Sequence, residues 1–133
     1  MVFRLIRSLF SRTQESFRVL ERFERDLEQS KKNDVVRAQL RKMGDDGTRP
    51  RHVIHFAYES TAGAASTEKV IHAVLQGFIA RPNDEGDGVI FEETREVASV
   101  EFDDHTETIS QELATAGWDY DGWECAVVEQ KGY

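Results

Sequence analysis

The sequence predicts an α+β fold of ferredoxin-like type: a split βαβ sandwich in βαββαβ order, with an antiparallel four-stranded sheet and both helices on one face. Three observations predict it. Residues 51 to 129 read in order as strand, helix, strand, strand, helix, strand. Both helical stretches end at a glycine, Gly77 and Gly117, as a left-handed helix cap requires. Ahead of them, residues 14 to 43 contain no Gly or Pro and are rich in helix formers, which predicts a long helical segment before the domain. The chain of 133 residues has room for one core. It divides into a basic amphipathic helical segment, residues 1 to 43, and an acidic domain, residues 44 to 133.

In the N-terminal segment Phe17, Leu20, Phe23 and Leu27 follow helical spacing, and so do Val36, Leu40 and Met43. The run "SKKND", Ser30 to Asp34, predicts a break between two helices, with Asn33 or Asp34 capping the second. The first eleven residues gather Val2, Phe3, Leu5, Ile6, Leu9 and Phe10 on one side of a short amphipathic helix. Such a helix suits a membrane surface or a partner. The favoured expectation is that it packs on its own protein or on a dimer mate.

"GDDGTRP", Gly44 to Pro50, is turn chemistry and marks the domain boundary. The first strand follows as "RHVIHFAYE", in which Ile54, Phe56 and Tyr58 share one parity. A helix opened by Ser66 or Thr67 then buries Val70, Ile71, Val74 and Leu75. "FIARP" is a short strand stopped by Pro82, "NDEGDG" a hairpin loop, and the next strand runs from Val89 to about Val100. The second helix carries Ile109, Leu113 and Ala116 on one face, and the last strand is "GWDYDGWECAVV", ending near Glu129.

That last strand raises a register question. Trp118 and Tyr120 have one parity, whereas Trp123, Cys125 and Val127 have the other. All five can share a face only if one extra residue is inserted, and Gly122 is the natural place for that bulge. Asp119 then points away from the aromatic side chains, which argues against an aromatic-lined acidic pocket.

The charge balance is uneven. Residues 1 to 43 carry eleven Lys or Arg against six Asp or Glu, and residues 44 to 133 carry six against nineteen, so that +5 and −13 make up the net −8. An acidic domain repels phosphate backbones, which excludes direct nucleic-acid binding by that part and favours basic protein segments. In the N-terminal segment, Glu21 to Arg25 and Glu28 to Lys32 stand at the favourable four-residue spacing, so much of its charge is ordinary helix surface. The start lacks a signal-peptide cleavage pattern, no apolar run approaches the ~20 residues of a bilayer span, and a lone Cys125 suits a reducing compartment. A cytoplasmic location is expected.

Candidate chemistry is sparse. "DDH", Asp103 to His105, stands at the expected start of the second helix, where Asp103 or Asp104 would cap it and Asp104 with Glu107 matches a capping box. The hairpin "NDEGDG" is rich in oxygen donors, yet the twelfth position counted from Asn83 is Thr94 rather than the glutamate of a calcium loop. His52 and His55 fall on opposite faces of a strand, and His72 and His105 lie on other elements, so no shared ligand set is expected. Cys125 reads as a buried small hydrophobe. The glycines match no phosphate loop or dinucleotide fingerprint. The expectation is no catalytic residue, no metal and no cofactor.

Trp118 to Trp123, "WDYDGW", resembles the RraB-type regulators of ribonuclease E activity, a family of small bacterial proteins. The match rests on Tyr120-Asp121-Gly122-Trp123, which follows the last helix and opens the last strand, with element order and acidity agreeing over about residues 34 to 130. The resemblance implies a ferredoxin-like, non-enzymatic protein that binds a large endoribonuclease or its degradosome scaffold and restrains RNA decay by contact. It makes Tyr120, Asp121, Gly122 and Trp123 the candidate partner-binding residues. Unlike the family pattern, the chain ends in "QKGY" instead of an acidic tail and begins with a basic helical segment. Two other functions stand beside it. One is a metal-dependent hydrolase using Asp103, Asp104, Asp119 and Asp121, since Asp119 and Asp121 share a parity. The other is a structural or immunity-like homodimer assembled through the N-terminal helices.

Overall fold

The computed structural model describes residues 29–129 together with the backbone of residues 5–7. Helix α1, Gln29–Lys42, buries Gln29, Asn33, Val36, Arg37 and Leu40 along one stripe. It closes on Gly44, whose φ of 80° lets the Gly44 and Asp45 amides donate to the Arg41 and Leu40 carbonyls at 3.1 and 3.0 Å. The expected break at Ser30 to Asp34 does not occur, because the helix is continuous through those residues. Asn33 is no cap: its amide group is fully engaged by Gln29 one turn back in the helix and by Asp103, Thr106 and Trp123 across the fold, and those bonds outweigh its weak helix propensity. The expected helices over residues 8–28 lie outside the described residues.

Strand β1, Leu5–Arg7, corrects the expectation for the first eleven residues, since these three are extended rather than helical. They add to the edge of β5, Trp118–Ala126, as an antiparallel fifth strand. The sheet order is β1-β5-β2-β4-β3, with β2 at Arg51–Glu59, β3 at Ile79–Pro82 and β4 at Gly88–Arg95, and every neighbouring pair is antiparallel. Helix α2 follows β2. It opens at Thr67–Lys69 under a Ser66 cap and continues as a π-helical turn, Val70–Val74.

Helix α3 spans Val100–Thr115, and its start corrects both the end of the preceding strand and the cap. Strand β4 stops at Arg95; Ser99 is the N-cap and accepts from the Phe102 amide at 3.1 Å. The Glu96 carboxylate accepts from the amides of Ala98 and Ser99 at 2.8 and 3.0 Å, which holds the turn ahead of the helix. Asp103 sits within the helix, and its carboxylate is held by Arg37 instead.

Three helices cover one face of the sheet. Val53 and Ala57 share a face of β2; Val53 packs with Val36, Leu40, Val97, Phe102, Trp123 and Cys125, and Ala57 packs with Val70, Leu75, Val89, Phe91, Ile109, Leu113 and Trp118. Helix α1 thus shares a core with the strands. The more apolar parity of β2, with Ile54, Phe56 and Tyr58, is only half-buried, and the fully buried one includes Arg51 and His55.

The bulge expected near Gly122 is present. Phe56 pairs with Gly122 and Ala57 with Tyr120, so Asp121 is the inserted residue. Gly122 has φ of 99°, a conformation strained for any other residue. The register shift brings Trp118, Trp123 and Cys125 to the same buried side, and Tyr120 and Val127 pack against it.

Candidate functional site

The core face of the sheet carries a polar cluster. The antiparallel register sets His55 opposite Phe91 and Val53 opposite Glu93, so His55 and Glu93 are diagonal neighbours on one face. His105, on the first turns of α3, comes down over them, and Tyr120 of β5 approaches from the other side. His55 Nε2 lies 2.6 Å and His105 Nε2 lies 2.8 Å from the same oxygen, Glu93 Oε2. The Tyr120 hydroxyl lies 2.7 Å from His55 Nδ1.

Aromatic rings wall the cluster. His55 stacks on Phe91 with centroids 4.9 Å apart and meets Phe78 edge-on at 5.7 Å, while His105 stacks on the other aspect of Phe78 at 5.7 Å. The Arg95 guanidinium lies over the Phe102 ring at 5.4 Å and reaches within 3.8 Å of Glu93 Oε1. Arg95 Nε is buried with no hydrogen-bond partner among the described residues. The His55 side chain is wholly buried, whereas Glu93 and His105 keep 15 % and 27 % of their side-chain surface exposed. One side of the cluster therefore opens to water.

The protonation pattern follows from these contacts. Burial pushes the His55 imidazole below its ordinary value, and this outweighs the hydrogen bond to Glu93. Burial alone would raise Glu93, but the hydrogen bonds from His105 and His55 prevail and bring it down to about 2. Burial, reinforced by the charges of Glu93 and Asp121, raises Tyr120 well above its usual range. An ionised Glu93 only accepts, so Nε2–H of each imidazole donates to it, and Nδ1 of neutral His55 accepts the Tyr120 hydroxyl proton.

Among the described residues, His55, Glu93 and His105 form the one group of His, Cys, Asp and Glu side chains placed to hold a metal ion, with ligand atoms all within 4.8 Å of one another. This overturns the expectation that the histidines stay apart. The separation of His52 from His55 does hold: His52 pairs with Glu92 on the opposite face at 2.7 Å. The sequence signal for this meeting is parity, because Val89, Phe91 and Glu93 alternate inward on β4 as Val53, His55 and Ala57 do on β2.

The four residues of the Tyr120–Trp123 run are largely turned inward. Trp123 is 1 % exposed and donates its indole N–H to Asn33 Oδ1 at 2.7 Å; Gly122 is buried; Tyr120 and Asp121 retain partial exposure. The four aspartates do not converge on one another. Asp103 accepts from Arg37 at 2.9 and 3.1 Å and from Asn33 at 2.9 Å, Asp104 is exposed on α3, and Asp119 is exposed opposite Tyr58. Cys125 is fully buried, and burial pushes its thiol up to about 11, which makes it inert at neutral pH.

A second buried ion pair closes the far end of the sheet. Arg51 binds Asp45 and donates to the Ala126 carbonyl at 3.1 Å, while Asp45 accepts from the amides of Gly47 and Val128 at 2.8 Å. It ties the loop after α1 to the end of β5.

No helix among the described residues is long and apolar enough to cross a membrane. A scan against protein-family models matches no family, and a search of curated proteins finds no match.

Proposed function

We propose that this chain is a non-enzymatic, protein-binding regulator of the RraB type, which restrains RNA decay by contacting ribonuclease E or its degradosome scaffold. The observation that carries the reading is the Tyr120-Asp121-Gly122-Trp123 run. The run is a built feature: Asp121 is the inserted residue, Gly122 takes the positive φ, and Tyr120 and Trp123 each tie the last strand to a different element. A resemblance concentrated in four residues gains weight when those four set the register of a strand.

The strand order supports the fold that the reading requires. Without β1, the order β5-β2-β4-β3 with antiparallel neighbours and helices after β2 and β4 supports a ferredoxin-like split βαβ reading. The surface supports the partner class. Glu101, Asp104, Glu107 and Glu112 are all exposed on α3, which contains no Lys or Arg. A basic protein segment would be drawn to this helix by long-range attraction and repelled from α1, whose last turn carries Arg41 and Lys42.

The test is the rate of RNA cleavage by ribonuclease E with and without a molar excess of the full chain. The reading expects a lowered rate that recovers as salt is raised. An unchanged rate at low salt would overturn it.

A further inference from the structure

We infer that His55, Glu93 and His105 form a binding site for a divalent cation of the zinc class, with its fourth coordination position open to solvent. The inference is independent of the protein-binding reading. The donor set is two imidazoles and one carboxylate, the set that borderline cations select. The three groups come from β2, β4 and α3, and both imidazole Nε2 atoms aim at one carboxylate oxygen, so a single point is shared by three elements.

The surroundings match what such a site needs. Tyr120 sits on the far nitrogen of His55 at 2.7 Å, where an outer partner fixes the ring's orientation and tautomer. For His55 and His105 to bind a cation through Nε2 each ring must carry its proton on Nδ1 instead: at His55 the Tyr120 hydroxyl, which both accepts and donates, turns to accept it, and at the partly exposed His105 the exchange runs through water. Arg95 approaches Oε1 of Glu93 rather than Oε2, so it steadies the carboxylate by the oxygen that the cluster leaves free. Phe78 and Phe91 supply an apolar wall against His55, the kind of shell that limits solvent access to a metal site.

The geometry requires one adjustment. Zinc bonds of about 2.0–2.2 Å hold tetrahedral ligand atoms roughly 3.3 Å apart, whereas the two imidazoles now stand 2.6 and 2.8 Å from Glu93 Oε2. Glu93 and His105 are the ligands free to make that move, Glu93 drawing back from the buried His55 and His105 from Glu93, since they keep 15 % and 27 % of their side-chain surface exposed. With three protein ligands and an open side, water or an external ligand would complete the site.

The experiment uses the full chain stripped with chelator and desalted, titrated separately with zinc and cobalt(II) at neutral pH by calorimetry and visible absorption. One equivalent of each is expected to bind, with cobalt developing the absorption of a four- or five-coordinate site and zinc raising the melting temperature. His105→Ala should weaken binding about 100-fold and Tyr120→Phe about tenfold. His52→Ala, on the opposite face, should bind like the parent. Glu93→Gln supplies a second ligand variant if His105→Ala does not fold, and it should lose the zinc-dependent rise in melting temperature. Absence of binding by the parent would overturn the site. So would parent-like affinity in the folded ligand variants, or an equal loss in His52→Ala.

Discussion

The indole N–H of Trp123 donates to Asn33 Oδ1 at 2.7 Å, joining the last strand to the first described helix across ninety positions of sequence. Asn33 uses its remaining capacity on Gln29, Asp103 and Thr106, so one amide organises contacts to α1, α3 and β5. Buried amides satisfied in this way hold elements in a unique arrangement, and they are costly to disrupt because their partners are left unpaired.

Asn33→Ala should therefore destabilise the fold by about 2–4 kcal/mol, since it strands the Trp123 indole N–H and leaves a small cavity. Urea unfolding followed by tryptophan fluorescence measures it. A loss below about 0.5 kcal/mol, the range of ordinary surface substitutions, would contradict the role assigned to this amide.

Gly122 is held at φ of 99° in the bulge. Gly122→Val places a β-branched residue in a region that costs roughly 1–3 kcal/mol even for simpler side chains. It should lower the melting temperature and reduce the yield of folded protein. Thermal melts indistinguishable from the parent would show that the strand does not need the bulge.

The Arg51 and Asp45 side chains are 0 % and 1 % exposed. Burial would raise the Asp45 carboxyl, but the hydrogen bonds from Arg51 and from the Val128 and Gly47 amides prevail and hold it below its ordinary value. Asp45→Asn leaves the guanidinium buried without its counter-charge and should cost about 3–5 kcal/mol. Asp46→Asn, at a neighbouring exposed position, should cost far less. Equal effects of the two substitutions in denaturant unfolding would contradict the assignment.

Acid should weaken the folded state in two stages, measured in metal-free buffer. His55 binds protons less readily when folded, so its contribution is complete above the ordinary imidazole value of 6.5 and declines as pH falls below it. Glu93, lowered from 4.5 to about 2, contributes fully above 4.5 and loses that contribution as pH falls toward 2. Both act in the same direction, so unfolding free energy should decrease steadily from pH 7 to pH 3. His55→Phe should flatten the upper stage, and greater stability of the parent at pH 5.5 than at pH 7 would contradict the buried neutral imidazole.

Local chemistry was legible wherever neighbouring residues decide the conformation. The Ser66 cap, the Gly117 helix stop, the short strand ending at Pro82 and the bulge at Gly122 all follow from the sequence by backbone rules. Sequence and structure part where tertiary partners override propensity. Asn33 looked like a cap because it is a poor helix former, yet four side chains hold it inside the helix stripe. Asp103 fitted a capping box, but Arg37 claims it, and Ser99 does the capping four residues earlier. His55 and His105 looked unrelated because fifty residues separate them. Only the pairing of β2 with β4, and the descent of α3 onto that face, brings both imidazoles to Glu93.

The proposed role as a partner-binding regulator is tested most directly by calorimetric titration of the full chain into ribonuclease E at low and high salt. Saturable one-to-one binding is predicted, with an affinity that falls as ionic strength rises and that weakens further when Glu101, Asp104, Glu107 and Glu112 are changed together to glutamine or asparagine. Absence of binding at low salt, or an affinity indifferent both to salt and to loss of those four charges, would contradict it.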